Sequence, residues 1–217
     1  MLAILATLVA SIMTVLAQAD DSALVAKLLT ANTQVTKVAD ITPDSQYVFD
    51  FMKGSRGNAQ GGFAVAADSA TFPALLTGNG AMTVGVLGPC GANPPHTHPR
   101  ATELQLLVEG GPIFTEFIME NGATTVKNNI SVGMATIFPK GSIHLQQNLG
   151  CEPAVFIASF DDVDPGTSLI AQNFFALDQG VVDATLGEVG VNFFEHLKLP
   201  PAFILGMSLI TYASSPY

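Results

Sequence analysis

The chain has 217 residues, 48% of them apolar and 12% charged, which is enough for one domain with a substantial core and excludes a disordered chain. Its 18 acidic and 8 basic residues give a formal charge of −10. Such a surface repels phosphate backbones and anionic lipid, which argues against nucleic-acid binding.

In chain order, the first segment is an apolar run from Met1 to Ala17 without a charged side chain, followed by Ala17-Gln18-Ala19 and Asp20-Asp21. An apolar stretch ending in A-x-A reads as a secretory signal peptide over 1–19, leaving 20–217 as a single domain. The alternative is an N-terminal membrane anchor, for which the run is short. Once the signal is removed, no membrane association is expected and the protein is extracellular. In an exported chain the two cysteines, Cys90 and Cys151, point to a disulfide. Asn129-Ile130-Ser131 is an N-glycosylation sequon.

Residues 20–36 predict a short amphipathic helix, with Leu24, Val25, Leu28 and Leu29 at helical spacing. Residues 38–80, rich in Gly, Asp, Ser and Asn, predict short strands joined by turns. From Ala81 the texture is β. Short apolar or alternating segments at 82–87, 103–108, 113–119, 124–127, 135–138, 143–147 and 154–160 are separated by Gly, Pro and Asn, the pattern of a sandwich or barrel. After Pro165 the segments 168–177 and 181–199 have a looser, helical period that stops at Pro200-Pro201. The apolar tail 202–212 is too short to span a bilayer. The expected order is signal, β-barrel over about 40–165, and helical C-terminal arm over about 166–200.

Three of the four histidines fall in two compact motifs. The first is Pro94-Pro95-His96-Thr97-His98-Pro99-Arg100-Ala101-Thr102-Glu103, closing at Gly110. The second runs from Gly133 through Pro139, Gly141 and His144 to Asn148. On a strand, residues two apart share a face, so His96 and His98 can reach one point. Glu103 returns on the next strand, and the Pro139-Lys140-Gly141 turn delivers His144 from a distant part of the chain. Three imidazoles and a carboxylate suit Mn, Fe, Zn, Ni or Cu and match poorly the all-oxygen preference of Ca. An octahedral ion on four protein donors keeps two positions for water or substrate, whereas a tetrahedral one is closed. His196 reads as a surface or interface histidine on a helix. Asp161-Asp162-Val163-Asp164-Pro165-Gly166 lacks EF-hand ligand spacing and reads as a solvated turn.

The paired motifs resemble the two signatures of the cupin superfamily, and the stretch Asn93 to Glu103 resembles germins, germin-like proteins and spherulins. That resemblance implies an all-β cupin jelly-roll barrel holding Mn2+ on His96, His98, Glu103 and His144. It also implies secretion, assembly into a homo-oligomer, and a small anionic or oxygen-derived substrate. The activities implied are oxalate oxidation and superoxide dismutation. The spherulin side of the resemblance implies instead a non-catalytic wall, matrix or encystment-associated metal-binding protein. Asn93 matches an asparagine that resembles a substrate-positioning group in germins with oxalate oxidase activity. A second such asparagine, ten residues upstream, falls here on Thr83. Asn148 reads as fixing a turn. The chain departs from the family at Cys90, where the signature has Gly, in lacking an N-terminal cysteine pair, and in its last residues. In a jelly roll the His96–His98 strand lies antiparallel to the His144 strand. Pairing Thr97 with His144 then sets Cys90 opposite Cys151, the expected disulfide, with two separate thiols as the alternative.

Overall fold

A computed structural model describes residues 21–56, 61–187 and, for the backbone alone, 205–206. The expected signal over 1–19, His196 and the stretch 188–200 of the expected arm lie outside these residues. The chain opens with α1 (Ser22–Thr30) and α2 (Gln34–Asp40). The single helix expected over 20–36 is broken between them, because Thr33 is extended and its hydroxyl caps the second helix by accepting from Thr36 N–H. Leu28 is fully buried and packs with Ile41, Ala74 and Leu76 in a small cluster of its own.

The rest is mostly β: β1 (Gly62–Ala67), β2 (Ala81–Leu87), β3 (Gly91–Thr97), β4 (Glu103–Glu109), β5 (Ile113–Ile118), β6 (Val126–Ile130), β7 (Ala135–Phe138), β8 (Ile143–Asn148), β9 (Ala154–Phe160) and β10 (Ser168–Leu169). Two short helices follow, α3 (Ile170–Phe175) and α4 (Gln179–Thr185), and a two-residue strand β11 (Leu205–Gly206) pairs with β3. The strands form two antiparallel sheets, ordered β1-β2-β9-β4-β7 and β10-β3-β8-β5-β6.

Strand alternation decides what lies between the sheets. On β4, Glu103, Gln105 and Leu107 are buried while Leu104 and Leu106 are exposed. On β8, His144, Gln146 and Asn148 are buried. Leu87, Leu107, Ile113, Ile130, Ala154 and Phe156 from both sheets close one apolar core. Gly85 makes room in it, since a Cβ there would stand 2.1 Å from the Phe156 ring.

The register between β3 and β8 corrects one expectation. Pro94 and Pro95 have no N–H to offer to a ladder, and the pairing shifts between Asn93 and His96 by a bulge. His96, not Thr97, is level with His144, and Asn93 is level with Gln146. Carried on from Ala92↔Gln147, that register sets Leu149 rather than Cys151 level with Cys90. The expected Cys90–Cys151 disulfide is not formed. Both cysteines are free, Cys90 half-buried in a left-handed turn with φ 57° and Cys151 exposed.

Candidate metal centre

His96 is the last but one residue of β3, His98 lies just beyond the strand, Glu103 starts β4, and His144 is the second residue of β8. All four converge at one end of the space between the sheets and are at least 93% buried. One ligand atom from each lies within 4.8 Å of every other. The paired motifs thus bring together the four residues that their spacing marked out.

Each imidazole is held from behind. The His96 Nδ1 is 2.8 Å from Pro94 O, and the His144 Nδ1 is 3.0 Å from Ser142 O. The His98 Nδ1 is 2.6 Å from Gly166 O. A carbonyl only accepts, so each Nδ1 carries a hydrogen and each Nε2 is left to face the centre. The Nε2 atoms of His98 and His144 stand 3.0 and 3.2 Å from the same Glu103 oxygen. Ring nitrogens facing a carboxylate at that distance need a proton or a metal cation between them. Metal–donor bonds of about 2.1–2.2 Å meeting at right angles put neighbouring donors about 3 Å apart. The donor set and its spacing therefore fit a divalent transition metal.

The electrostatics agree. Burial, reinforced by the neighbouring His144, draws His96 down from 6.5 to about 3, so the ring is neutral and ready to ligate. Burial alone raises the Glu103 carboxyl, but hydrogen bonds from the His144 and His98 rings outweigh it and bring it to about 2. Phe138 stacks on His144 at 4.3 Å and Phe160 lies 4.7 Å from His98, giving the centre an apolar wall.

Several supporting residues were not evident in the sequence. The segment 161–166, read there as a solvated turn, is the part that orients His98. Asp161 accepts from Thr102 N–H at 2.8 Å, and Arg100 pairs with Asp164 at 2.7 Å and donates to its carbonyl at 2.6 Å. Asn148 fixes a turn as expected, donating to the Leu87, Gly88 and Glu152 carbonyls and accepting from Gly150 N–H. Thr83 lines a cavity of about 150 Å³ beside His98 and Phe160. Asn93 is level with buried Gln146, on the inner face of its sheet.

Two buried motifs on paired strands with three histidines and a glutamate define a cupin-type metal site. The family model described as Cupin matches residues 51–189, and the chain belongs to the cupin family. It is similar to spherulin-1A of Physarum polycephalum, 41% identical over 82% of this chain and 74% of the relative. It is also similar to germin-like protein 1-1 of Oryza sativa subsp. japonica, 37% identical over 64% of this chain and 63% of the relative. Among solved structures it resembles an oxalate oxidase in complex with the substrate analogue glycolate. That match has TM-score 0.58 and 26% identity, over 67% of this chain and 79% of the other. No helix among the described residues is long and apolar enough to cross a membrane.

Proposed function

We propose that this chain is a secreted germin-like cupin, a single jelly-roll domain that holds one manganese ion on His96, His98, Glu103 and His144. It acts as an extracellular oxidoreductase on a small anionic or oxygen-derived substrate. The two reactions in view are oxalate plus dioxygen and two protons to carbon dioxide and hydrogen peroxide, and superoxide dismutation. The observation that carries this reading is the convergence of three imidazoles and one buried carboxylate, whose ligand atoms all lie within 4.8 Å of one another. The similar oxalate oxidase with bound glycolate supports the oxalate branch.

Bound manganese supplies Lewis-acid and one-electron chemistry. The chain's own residues do the rest. The Pro94, Gly166 and Ser142 carbonyls fix the imidazole tautomers, Phe138 and Phe160 exclude water, and Asn93 on the inner face positions substrate. Export by the 1–19 signal fits the exposed Asn129 on edge strand β6, open to a glycan. Exposed Leu104, Leu106, Val108 and Ile137 on the outer face of the five-stranded sheet support a homo-oligomer. The net charge of −10 supports the absence of nucleic-acid partners.

A second reading, a non-catalytic matrix or encystment-associated protein with a structural metal, is favoured by the similarity to spherulin-1A and by Thr83 in the cavity beside His98. Elemental mass spectrometry of the secreted protein, followed by peroxide and superoxide assays, separates the two. Close to one manganese per chain with turnover is expected. A full metal load without turnover supports the second reading, and absence of metal refutes both.

A further inference from the structure

One inward-facing position further into the space between the sheets than the metal ligands, the interior remains polar. Gln105 follows Glu103 by two residues on β4, and Gln146 follows His144 by two on β8. Alternation therefore puts both on the ligands' face. Each is fully buried, and none of their four amide atoms has a hydrogen-bond partner among the described residues. Their ladder neighbours on that face are Thr136 and Ala158 for Gln105, and Thr115 and Asn93 for Gln146. One step deeper the lining turns apolar with Leu107, Ile113 and Phe156. Two carboxamides between a metal centre and an apolar floor are costly unless something accepts from them, because buried polar groups are otherwise paired.

We infer that Gln105, with Gln146 beside it, forms a hydrogen-bonding subsite for the end of a small metal-bound carboxylate that points away from the metal. The inference rests on the metal and substrate reading above and adds the residues that hold the ligand's far end. A divalent ion with one carboxylate and three neutral imidazoles leaves a net positive charge in a buried space, which attracts a small anion. Neutral amide N–H groups then bind the distal oxygens without adding charge, and an apolar floor limits ligand length. Gln105 is the more informative member, because β4 otherwise places Leu107 and the ligand Glu103 on this face, and neither needs a carboxamide between them.

The test uses the full secreted chain loaded with manganese, with glycolate as the probe. Metal content, glycolate affinity by calorimetry and thermal melting are measured for wild type and Gln105→Met, which keeps the length and removes the amide. The expected result is unchanged metal content and a melting temperature equal to or above wild type. Glycolate binding should weaken roughly tenfold or more, the loss of one hydrogen bond to a charged group. Should Gln105→Met fail to fold, Gln105→Asn withdraws the amide by one methylene and is expected to weaken glycolate in the same direction. Equal glycolate affinity in wild type and variant overturns the subsite and leaves the metal centre standing, the amides then being satisfied by water alone. A metal-loaded wild type that does not bind glycolate also overturns it. A wild type that takes up no metal overturns the function proposed above as well.

Discussion

The contact between His98 and the 161–166 segment gives a sharp prediction for Gly166→Ala. Gly166 has φ +66°, and a Cβ on it would lie 2.7 Å from the Arg100 Nη2. The left-handed conformation costs an alanine about 1 kcal/mol relative to glycine. The steric conflict adds a choice. Either the Arg100 guanidinium moves and gives up Asp164, to which it is bound at 2.7 Å, or the segment retreats and draws Gly166 O away from the His98 Nδ1, now at 2.6 Å. Loss of such an orienting bond weakens metal binding about 10- to 100-fold, or about 1.4–2.7 kcal/mol. The assay is competition against a chelator of known affinity, with circular dichroism to check the fold. Gly122→Ala is the control. Gly122 also has positive φ, +89°, but nothing lies within 4 Å of its added Cβ, so it should lose stability without losing metal affinity. If Gly166→Ala melts lower yet binds metal within twofold of wild type, as Gly122→Ala should, the orienting role of the segment is refuted.

Other predictions follow the same geometry. His98→Ala should lower metal content from near one per chain to background while far-ultraviolet dichroism persists, because the core of Leu107, Ile113 and Phe156 lies deeper between the sheets. Full metal retention would sink the ligand assignment. Metal-free stability should fall with acid. The His96 ring takes up a proton near 6.5 when unfolded and only near about 3 when folded, and the Glu103 carboxylate, about 2 when folded, titrates near 4.5 when unfolded. In both cases the unfolded chain binds more protons over the intervening range, so stability rises with pH from about 2 to 6.5. Urea titrations at pH 4.5, 5.5 and 7.5 showing the reverse trend would contradict this. Asn148→Ala removes a fully buried amide that satisfies three carbonyls and one N–H. It should cost about 2–4 kcal/mol in denaturant unfolding, and a loss under 1 kcal/mol would argue that water replaces it. Alkylation mass spectrometry without reductant should find Cys90 and Cys151 both modified, and a linked peptide would overturn their free state.

Most strands after Ala81 were legible in the sequence as short apolar or alternating runs bounded by Gly, Pro or Asn, whereas β6 starts two residues later than expected and β10 falls in a segment read as helical. The segments expected at 82–87, 135–138 and 154–160 agree with β2, β7 and β9 to within a residue. The ligands were legible because residue spacing within a motif translates directly into a shared face. The pairing of Cys90 was not, for a physical reason: a constant register requires every residue to take part in the ladder, and Pro94-Pro95 cannot. The role of 161–166 was hidden for a different one. What Gly166 contributes is a backbone carbonyl, which every residue type has, brought to His98 from 68 positions along the chain. Nothing in the sequence marks Gln105 and Gln146, and it is their full burial that sets them apart.

The three imidazoles are not equally secured. His96 and His144 each use a carbonyl two residues upstream on their own segment, Pro94 O and Ser142 O. Their orientation comes with the strand and survives as long as the strand does. His98 depends on a carbonyl from a segment held by an ion pair whose partners are half exposed, Arg100 and Asp164. Exposed pairs are worth little individually and are screened by salt. Backbone contacts at Arg100 N–H to Pro165 O and Thr102 N–H to Asp161 share the task. The strands therefore fix two ligands rigidly, while the third can be tuned from the surface. Substitutions at Arg100 or Asp164 should thus change metal affinity and release rate before they change the fold, whereas those at Pro94 or Ser142 should disturb both together.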